Sequence, residues 1–336
     1  MVSIEAIRAS NSKLKNLPSG LVALFVGGTS GIGESTLKAF YSSTLKPRVY
    51  FVGRNETAAS RIIDELKQLN ADGQATFLKK DISLIKNVDE VCEEMKTKES
   101  KLNLLFMTSG FLTMKGRNET SEGLDSKMVA HCYARMRFAM NMQPLLTAAA
   151  QQSELSRVVS VLDPEAPSKL ILEDLDLKTH FSLRNCVTHT VMMTNFIVEE
   201  LAKRNPSTSY VHAHPGIVKT NAFRDGGLLL RVGGELAYQL IRPWTIGIKE
   251  SGERHLYAST SGAFPPKNGD TGTVAVGKTE IATGSNGEVG SGAYLLSSDA
   301  TNKAQVDMLR KYREEGVSEK IWEHVSSTLD GAAKRN

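Results

Sequence analysis

An apolar run at residues 21–26 passes directly into Gly27-Gly28-Thr29-Ser30-Gly31-Ile32-Gly33, and a helix-period segment follows from Glu34. Strand, glycine turn and helix in that order constrain the fold more than any other feature of the chain. The glycines permit a tight turn and let backbone N–H groups and a helix N-terminus approach a diphosphate. Further apolar runs stand at 49–52, 104–108, 158–162 and 209–213, and the segments 34–43, 58–69, 88–96, 122–150 and 184–204 are long enough for crossover helices. This alternation predicts βαβ units and an α/β fold, a doubly wound parallel sheet of the Rossmann type with both faces covered. At 336 residues the chain has room for such a domain and extensions. We expect an N-terminal helix in 1–19 and the Rossmann domain in 20–266. Within it, an apolar lid insertion is expected at about 222–247, and a C-terminal appendage of loop and helices at 267–336, with a last strand near 292–296 and helices in 305–329.

Composition narrows the function classes. With 40% hydrophobic and 23% charged residues the chain is an ordinary folded protein, not a disordered one. The balance of 41 basic against 37 acidic residues, without a Lys/Arg block, argues against a nucleic-acid partner. Cys92, Cys132 and Cys186 are odd in number and widely spaced, which argues against a disulfide framework and a metal site and suits a reducing interior. Glu5, Arg8, Lys13, Lys15 and Pro18 interrupt the N-terminus, and no uncharged apolar run reaches ~18 residues. The expectation is a cytoplasmic protein with no membrane span.

The spacing Gly27-x-x-x-Gly31-x-Gly33 resembles the short-chain dehydrogenase/reductase family, with Val26 where that family usually has Thr. The second strand ends Val52-Gly53-Arg54-Asn55, about twenty residues after Gly33, where an acid would accept the ribose 2′-hydroxyl of NAD. Arg54 offers instead a cationic fork for a 2′-phosphate, so NADP(H) is the expected cofactor, a solvated arginine being the alternative. Lys80-Asp81-Ile82 resembles the family's adenine-side element, although an Asp capping the next helix would read the same way. Met107-Thr108-Ser109-Gly110 stands where the family usually has Asn-Asn-Ala-Gly, and Pro215-Gly216-Ile217-Val218-Lys219-Thr220 resembles its nicotinamide loop. The resemblance thus implies cofactor contacts at Gly27, Thr29, Ser30, Gly31, Ile32, Gly33, Arg54, Asn55, Asp81, Ile82, Ser109, Gly110, Pro215, Gly216, Val218 and Thr220.

The family's catalytic pattern is not repeated. It uses a Ser on the fifth strand and a Tyr-x-x-x-Lys on the next helix, the Lys lowering the Tyr pKa. Between Thr179 and Ala202 there is no Tyr and no Lys, and none of the eight tyrosines has Lys four residues on. Aligned through Glu200-Leu201, the pair falls at Val187 and Val191. On the fifth strand Asp163 takes the place of the hydroxyl, with Ser160 earlier in the strand; the alternative for Asp163-Pro164 is a plain turn. Ala130 replaces the family's usual Asn, and His131 and Arg135, four apart, are expected on one helical face with either able to reach the pocket. His131 is expected to pair with Asp163 and tune it, a core-edge histidine being the alternative. Met128, Met136, Met140, Met142, Met192 and Met193 read as core or pocket lining. The catalytic candidates are Asp163, His131 and Arg135.

The motifs Tyr133-Ala134-Arg135-Met136-Arg137-Phe138 and Val159-Ser160-Val161-Leu162-Asp163-Pro164 resemble a divergent fungal subgroup active in secondary metabolism, including reductase/cyclases of indole-alkaloid pathways. That resemblance implies iminium-type chemistry. Three readings compete. One is an NADP(H)-dependent reductase of an imine, iminium or carbonyl in a bulky apolar small molecule. The second is an NADP(H)-bound cyclase of Pictet–Spengler or Diels–Alder type with Asp163 as acid/base, and the third a non-catalytic nucleotide-binding scaffold. The family also implies a homo-oligomer, whose usual interface the C-terminal appendage would block.

Overall fold

The computed structural model describes residues 2–111, 113–165, 168–219, 245–269, 280–302 and 307–334. The strands are β1 (Val22–Val26), β2 (Arg48–Gly53), β3 (Gln74–Lys79), β4 (Leu104–Met107), β5 (Arg157–Val161), β6 (Ser209–Ala213) and β7 (Ala293–Leu296). They pair in parallel in the order β3-β2-β1-β4-β5-β6-β7. β1, β4, β5, β6 and β7 are buried at every position; β1, β4 and β7 read as apolar runs, while β5 and β6 also bury Arg157, Ser160, Ser209 and His212. Alternate residues of β1 serve opposite faces, Val22, Leu24 and Val26 one core and Ala23 and Phe25 the other. The strand order reverses between β1 and β4, and the crevice at their carboxyl ends is where open α/β sheets bind ligands.

The helices are α1 (Ile4–Asn11), α2 (Gly31–Ser43), α3 (Glu56–Leu69), α4 (Ile85–Lys98), α5 (Ser126–Met128), α6 (Ala134–Asn141), α7 (Gln143–Gln151), α8 (Leu183–Arg204), α9 (Ile248–Thr260), α10 (Asp307–Glu314) and α11 (Val317–Ala333). Buried residues of α1, α2, α3 and α9 share one core, and those of α4, α6, α8 and α11 the other. Arg157, fully buried on β5, donates to the carbonyls of Ala258, Ser261 and Phe264, so its cation closes the C-terminal end of α9.

Two differences from the sequence reading have physical causes. β3 was not expected: it is an edge strand whose Gln74 and Lys79 are exposed and whose middle is only half buried, so its apolar signal is weak. The long helix expected after Gly110 is α5, a π-helical turn at Val129–Tyr133, then α6 and α7. The segment 267–336 carries β7, α10 and α11 where a last strand and terminal helices were expected, and β7 joins the sheet beside β6. These two helices dock on α8, with Arg204 stacked over Trp322 and Arg313 paired with Glu199 at 2.8 Å. Apart from 245–247, the lid expected at 222–247 lies outside the described residues. No helix among the described residues is long and apolar enough to cross a membrane.

Candidate functional site

The glycine turn between β1 and α2 is built for close backbone approach. Gly27 has φ +91°, and a Cβ there would lie 2.8 Å from Ser109 N on the neighbouring strand end. A Cβ on Gly33 would lie 2.3 Å from Gly27 O and 2.6 Å from Thr108 Oγ1. Ser30 is extended and caps α2 with no side-chain hydrogen bond, which leaves the first-turn N–H groups facing the crevice. Thr29 packs on Gly53 at the end of β2, and Ile32 is buried, fixing the turn to the sheet. An uncapped helix N-terminus behind a glycine cradle fits a diphosphate, the group implied for Gly27, Thr29, Ser30, Gly31, Ile32 and Gly33.

At the far end of the crevice Arg54 Nη1 faces Asp81 Oδ2 at 3.7 Å, so two residues read separately in sequence come together. Asp81 Oδ1 also accepts the Ser83 N–H at 3.0 Å, the local turn that was its alternative reading, and Ile82 packs at the core edge. Asn55 caps α3 by accepting the Ala58 N–H at 3.0 Å, which commits its side chain to the helix.

At the carboxyl ends of β4 and β5 the catalytic candidates part company. Arg135 is buried, and its guanidinium donates to Ser109 O (2.6 Å), Ser160 Oγ (2.8 Å) and Val161 O (2.8 Å). Burial pushes its pKa down to about 10, so it stays cationic near neutrality. It braces two strand ends and is not free to reach into the pocket. His131 is not on the same helical footing, because the π turn at Val129–Tyr133 intervenes. Its Nδ1 donates to Lys127 O at 2.9 Å, and its ring fills the space where a Cβ on Gly110 would stand, 2.5 Å from Nε2. Burial and then Arg135 push its pKa down to about 4.

The expected pairing of His131 with Asp163 is therefore corrected: the imidazole that faces Asp163 is His214, whose Nε2 lies 3.6 Å from Asp163 Oδ1. Asp163 Oδ1 also accepts the Glu165 N–H at 2.8 Å. His214 Nδ1 accepts the Gly216 N–H at 2.8 Å, inside the loop of Pro215, Gly216 and Val218; Thr220 lies outside the described residues. Sequence reading did not single out His214. The signal was the register Val161↔Ala213, which starts the two loops side by side, and this is a fact of the sheet rather than of the local sequence.

The rim is apolar. Met114 after β4, Val187 in the first turns of α8 and Ile217 after β6 are exposed, and all three segments lie at the carboxyl edge of the sheet. A groove of about 700 Å³ between α1, α2 and α9 lies elsewhere, and several of its polar groups are paired, Arg8 with Glu253, Lys38 with Glu34, and Ser35 with Ile248 O. Among the described residues no group of three or more His, Cys, Asp or Glu could hold a metal ion.

Residues 21–161 match the short chain dehydrogenase family. The whole chain is similar to an oxidoreductase of Emericella nidulans, at 39% identity over 100% of both chains. It is also similar to the short-chain dehydrogenase/reductase SAT2 of Stachybotrys chartarum, at 30% identity over 100% of this chain and 99% of the other. Among solved structures, the NADPH-bound carbonyl reductase from chicken fatty liver superposes with a TM-score of 0.57 at 16% identity, covering 86% of this chain and 100% of that one. At that identity the likeness is one of fold.

Proposed function

The chain belongs to the short-chain dehydrogenase/reductase family, and from that premise we propose that it is an NADP(H)-dependent oxidoreductase whose reacting carboxylate is Asp163. The observation that carries this reading is a carboxylate, partly exposed, at the carboxyl end of β5, beside an α8 that holds no Tyr and only Lys203 near its far end. The glycine turn and α2 would hold the diphosphate, Arg54 the 2′-phosphate, Asp81 and Ile82 the adenine side, and Ser109, Gly110, Pro215, Gly216 and Val218 the nicotinamide side. A bound nicotinamide would supply hydride to the substrate carbon.

What the chain itself does follows from charge. Reduction of a carbonyl develops an oxyanion that needs a proton; reduction of an iminium carbon gives a neutral amine and needs none. A site with Asp163 in place of a hydroxyl relay favours the second, because a carboxylate stabilises a cation and opposes an oxyanion. Oδ1 is held by the Glu165 N–H, which leaves Oδ2 for the substrate. Arg135 keeps Ser109 and Val161 in place and so holds the floor on which Asp163 stands. The exposed Met114, Val187 and Ile217 support a bulky apolar substrate, since such a rim gains by being covered. A role in fungal secondary metabolism belongs to the same reading and rests on the motifs at 133–138 and 159–164. The second reading, a redox-neutral ring closure, is favoured by the same carboxylate, which could take the proton released on cyclisation.

The test is Asp163→Asn, which keeps shape and removes charge. The chemical step should slow by a factor on the order of 10² to 10⁴, with NADPH affinity nearly unchanged. Full activity in the variant would make Asp163 only the turn former beside Pro164.

A further inference from the structure

We propose that His214 is the positioning residue for Asp163, an imidazole whose proton is fixed on Nε2 and which holds the carboxylate in its working orientation. The inference rests on Asp163 being the reacting carboxylate. Its own support is the hydrogen-bond pattern around the ring. A neutral imidazole has one donor and one acceptor nitrogen. The Gly216 N–H occupies the Nδ1 lone pair at 2.8 Å, so the ring proton is on Nε2, the atom that faces Asp163 Oδ1.

The frame that carries the ring is fixed on both sides. The His214 N–H donates to Leu296 O of β7 at 2.8 Å, and the Leu162 N–H donates to Ala213 O at 3.1 Å, tying the loop after β5 to the end of β6. Pro164 O accepts from Asn195 Nδ2 of α8 at 3.4 Å. The His214 side chain is 24% exposed and that of Asp163 40%, so the carboxylate is the more open of the two and the imidazole stands behind it. The 3.6 Å gap is longer than a hydrogen bond, as contacts of this kind commonly are before substrate tightens them. An Asp-Pro turn needs only the Glu165 N–H and would have no use for an oriented imidazole. Because the acceptor side of the same ring holds Gly216, His214 also joins the nicotinamide-side loop to the carboxylate.

Two substitutions separate these functions of the ring. His214→Asn keeps an acceptor near Nδ1 for Gly216 and loses the donor; His214→Gln keeps an amide donor near Nε2 and loses the acceptor. With NADPH and dihydroharmane, an indole-fused cyclic imine, His214→Gln should stay within a fewfold of wild-type kcat. His214→Asn should lose about a hundredfold in kcat, the scale of a misplaced reacting group, with KM and NADPH affinity unchanged. His214→Asn added to Asp163→Asn should cost nothing further. Equal losses in the two His214 variants, or an undiminished additional loss in the double variant, overturn the positioning role. If Asp163→Asn is inactive and His214→Asn is normal, the positioning role fails alone. A normal Asp163→Asn fails the functional reading and this inference with it. Nitrogen-15 NMR of histidine-labelled wild-type protein reads the tautomer without any substitution, with the His214 signals identified by their loss in His214→Asn. A proton on Nε2 is expected, and one on Nδ1 overturns the proposal.

Discussion

Arg54 faces Asp81 at 3.7 Å, and a 2′-phosphate would have to draw the same guanidinium toward itself. A charge-assisted contact of this kind contributes about 1.5–3 kcal/mol, or one to two decades in affinity. Arg54→Ala should therefore weaken NADPH in a binding titration by about that factor while NADH is unaffected; an unchanged preference would show that the 2′-phosphate is held elsewhere. The positions of Arg54 and Asp163 just past β2 and β5 were legible in the sequence because each stands at a fixed offset from a strand end that the apolar pattern already marks. His214 was not, since what makes it matter is the pairing of β5 with β6, a contact between residues some fifty positions apart. His131 misled for the opposite reason: spacing of four implies one face only on a regular α-helix, and the chain departs from that at Val129–Tyr133.

The π turn and the guanidinium that follows it act as one element. Arg135 reaches Ser109 O, Ser160 Oγ and Val161 O because it lies just beyond the turn, and its partners are a hydroxyl and carbonyls. Arg135→Met, similar in volume, would leave those acceptors unpaired in a buried place, at a cost on the order of 2–4 kcal/mol. A urea denaturation curve should show the lower midpoint; unaltered stability with a collapsed rate would place Arg135 at the reacting atoms instead of beneath them. The same distinction between local and non-local signals explains the elements. β1, β4 and β7 are unbroken apolar runs and β5 and β6 are apolar apart from two residues each, whereas β3, with Gln74 and Lys79 exposed, is held as a strand chiefly by its ladder to β2.

At the scale of the whole molecule, the sheet is buried between two helical layers, and titratable groups are buried with it. His255 on α9 is buried, and desolvation pushes its pKa from 6.5 down to about 4. Its folded pKa is the lower one, so between about 4 and 6.5 the unfolded chain takes up a proton that the folded chain refuses. Stability from this group is present above 6.5 and is lost as pH falls through that window, by on the order of 3 kcal/mol when the loss is complete. Tm should fall from pH 7 to pH 4, and less steeply in His255→Gln; identical slopes would mean that His255 is not responsible. Over the same molecule, α10 and α11 were legible as helices, but that they dock on α8 through Arg204–Trp322 and Arg313–Glu199 was not, because side-chain pairing across more than a hundred positions leaves no periodic trace.

The claim that joins these scales is that the crevice at the carboxyl edge transfers hydride, with Asp163 stabilising a cationic acceptor. NADPH deuterated at the reactive position of the nicotinamide, incubated with the protein and dihydroharmane, tests it directly by mass spectrometry and NMR of the product. The account predicts one deuterium at the former imine carbon and one NADPH consumed for each product molecule. Product formed without deuterium, from this or any other cyclic imine, with the NADPH undiminished, would contradict it.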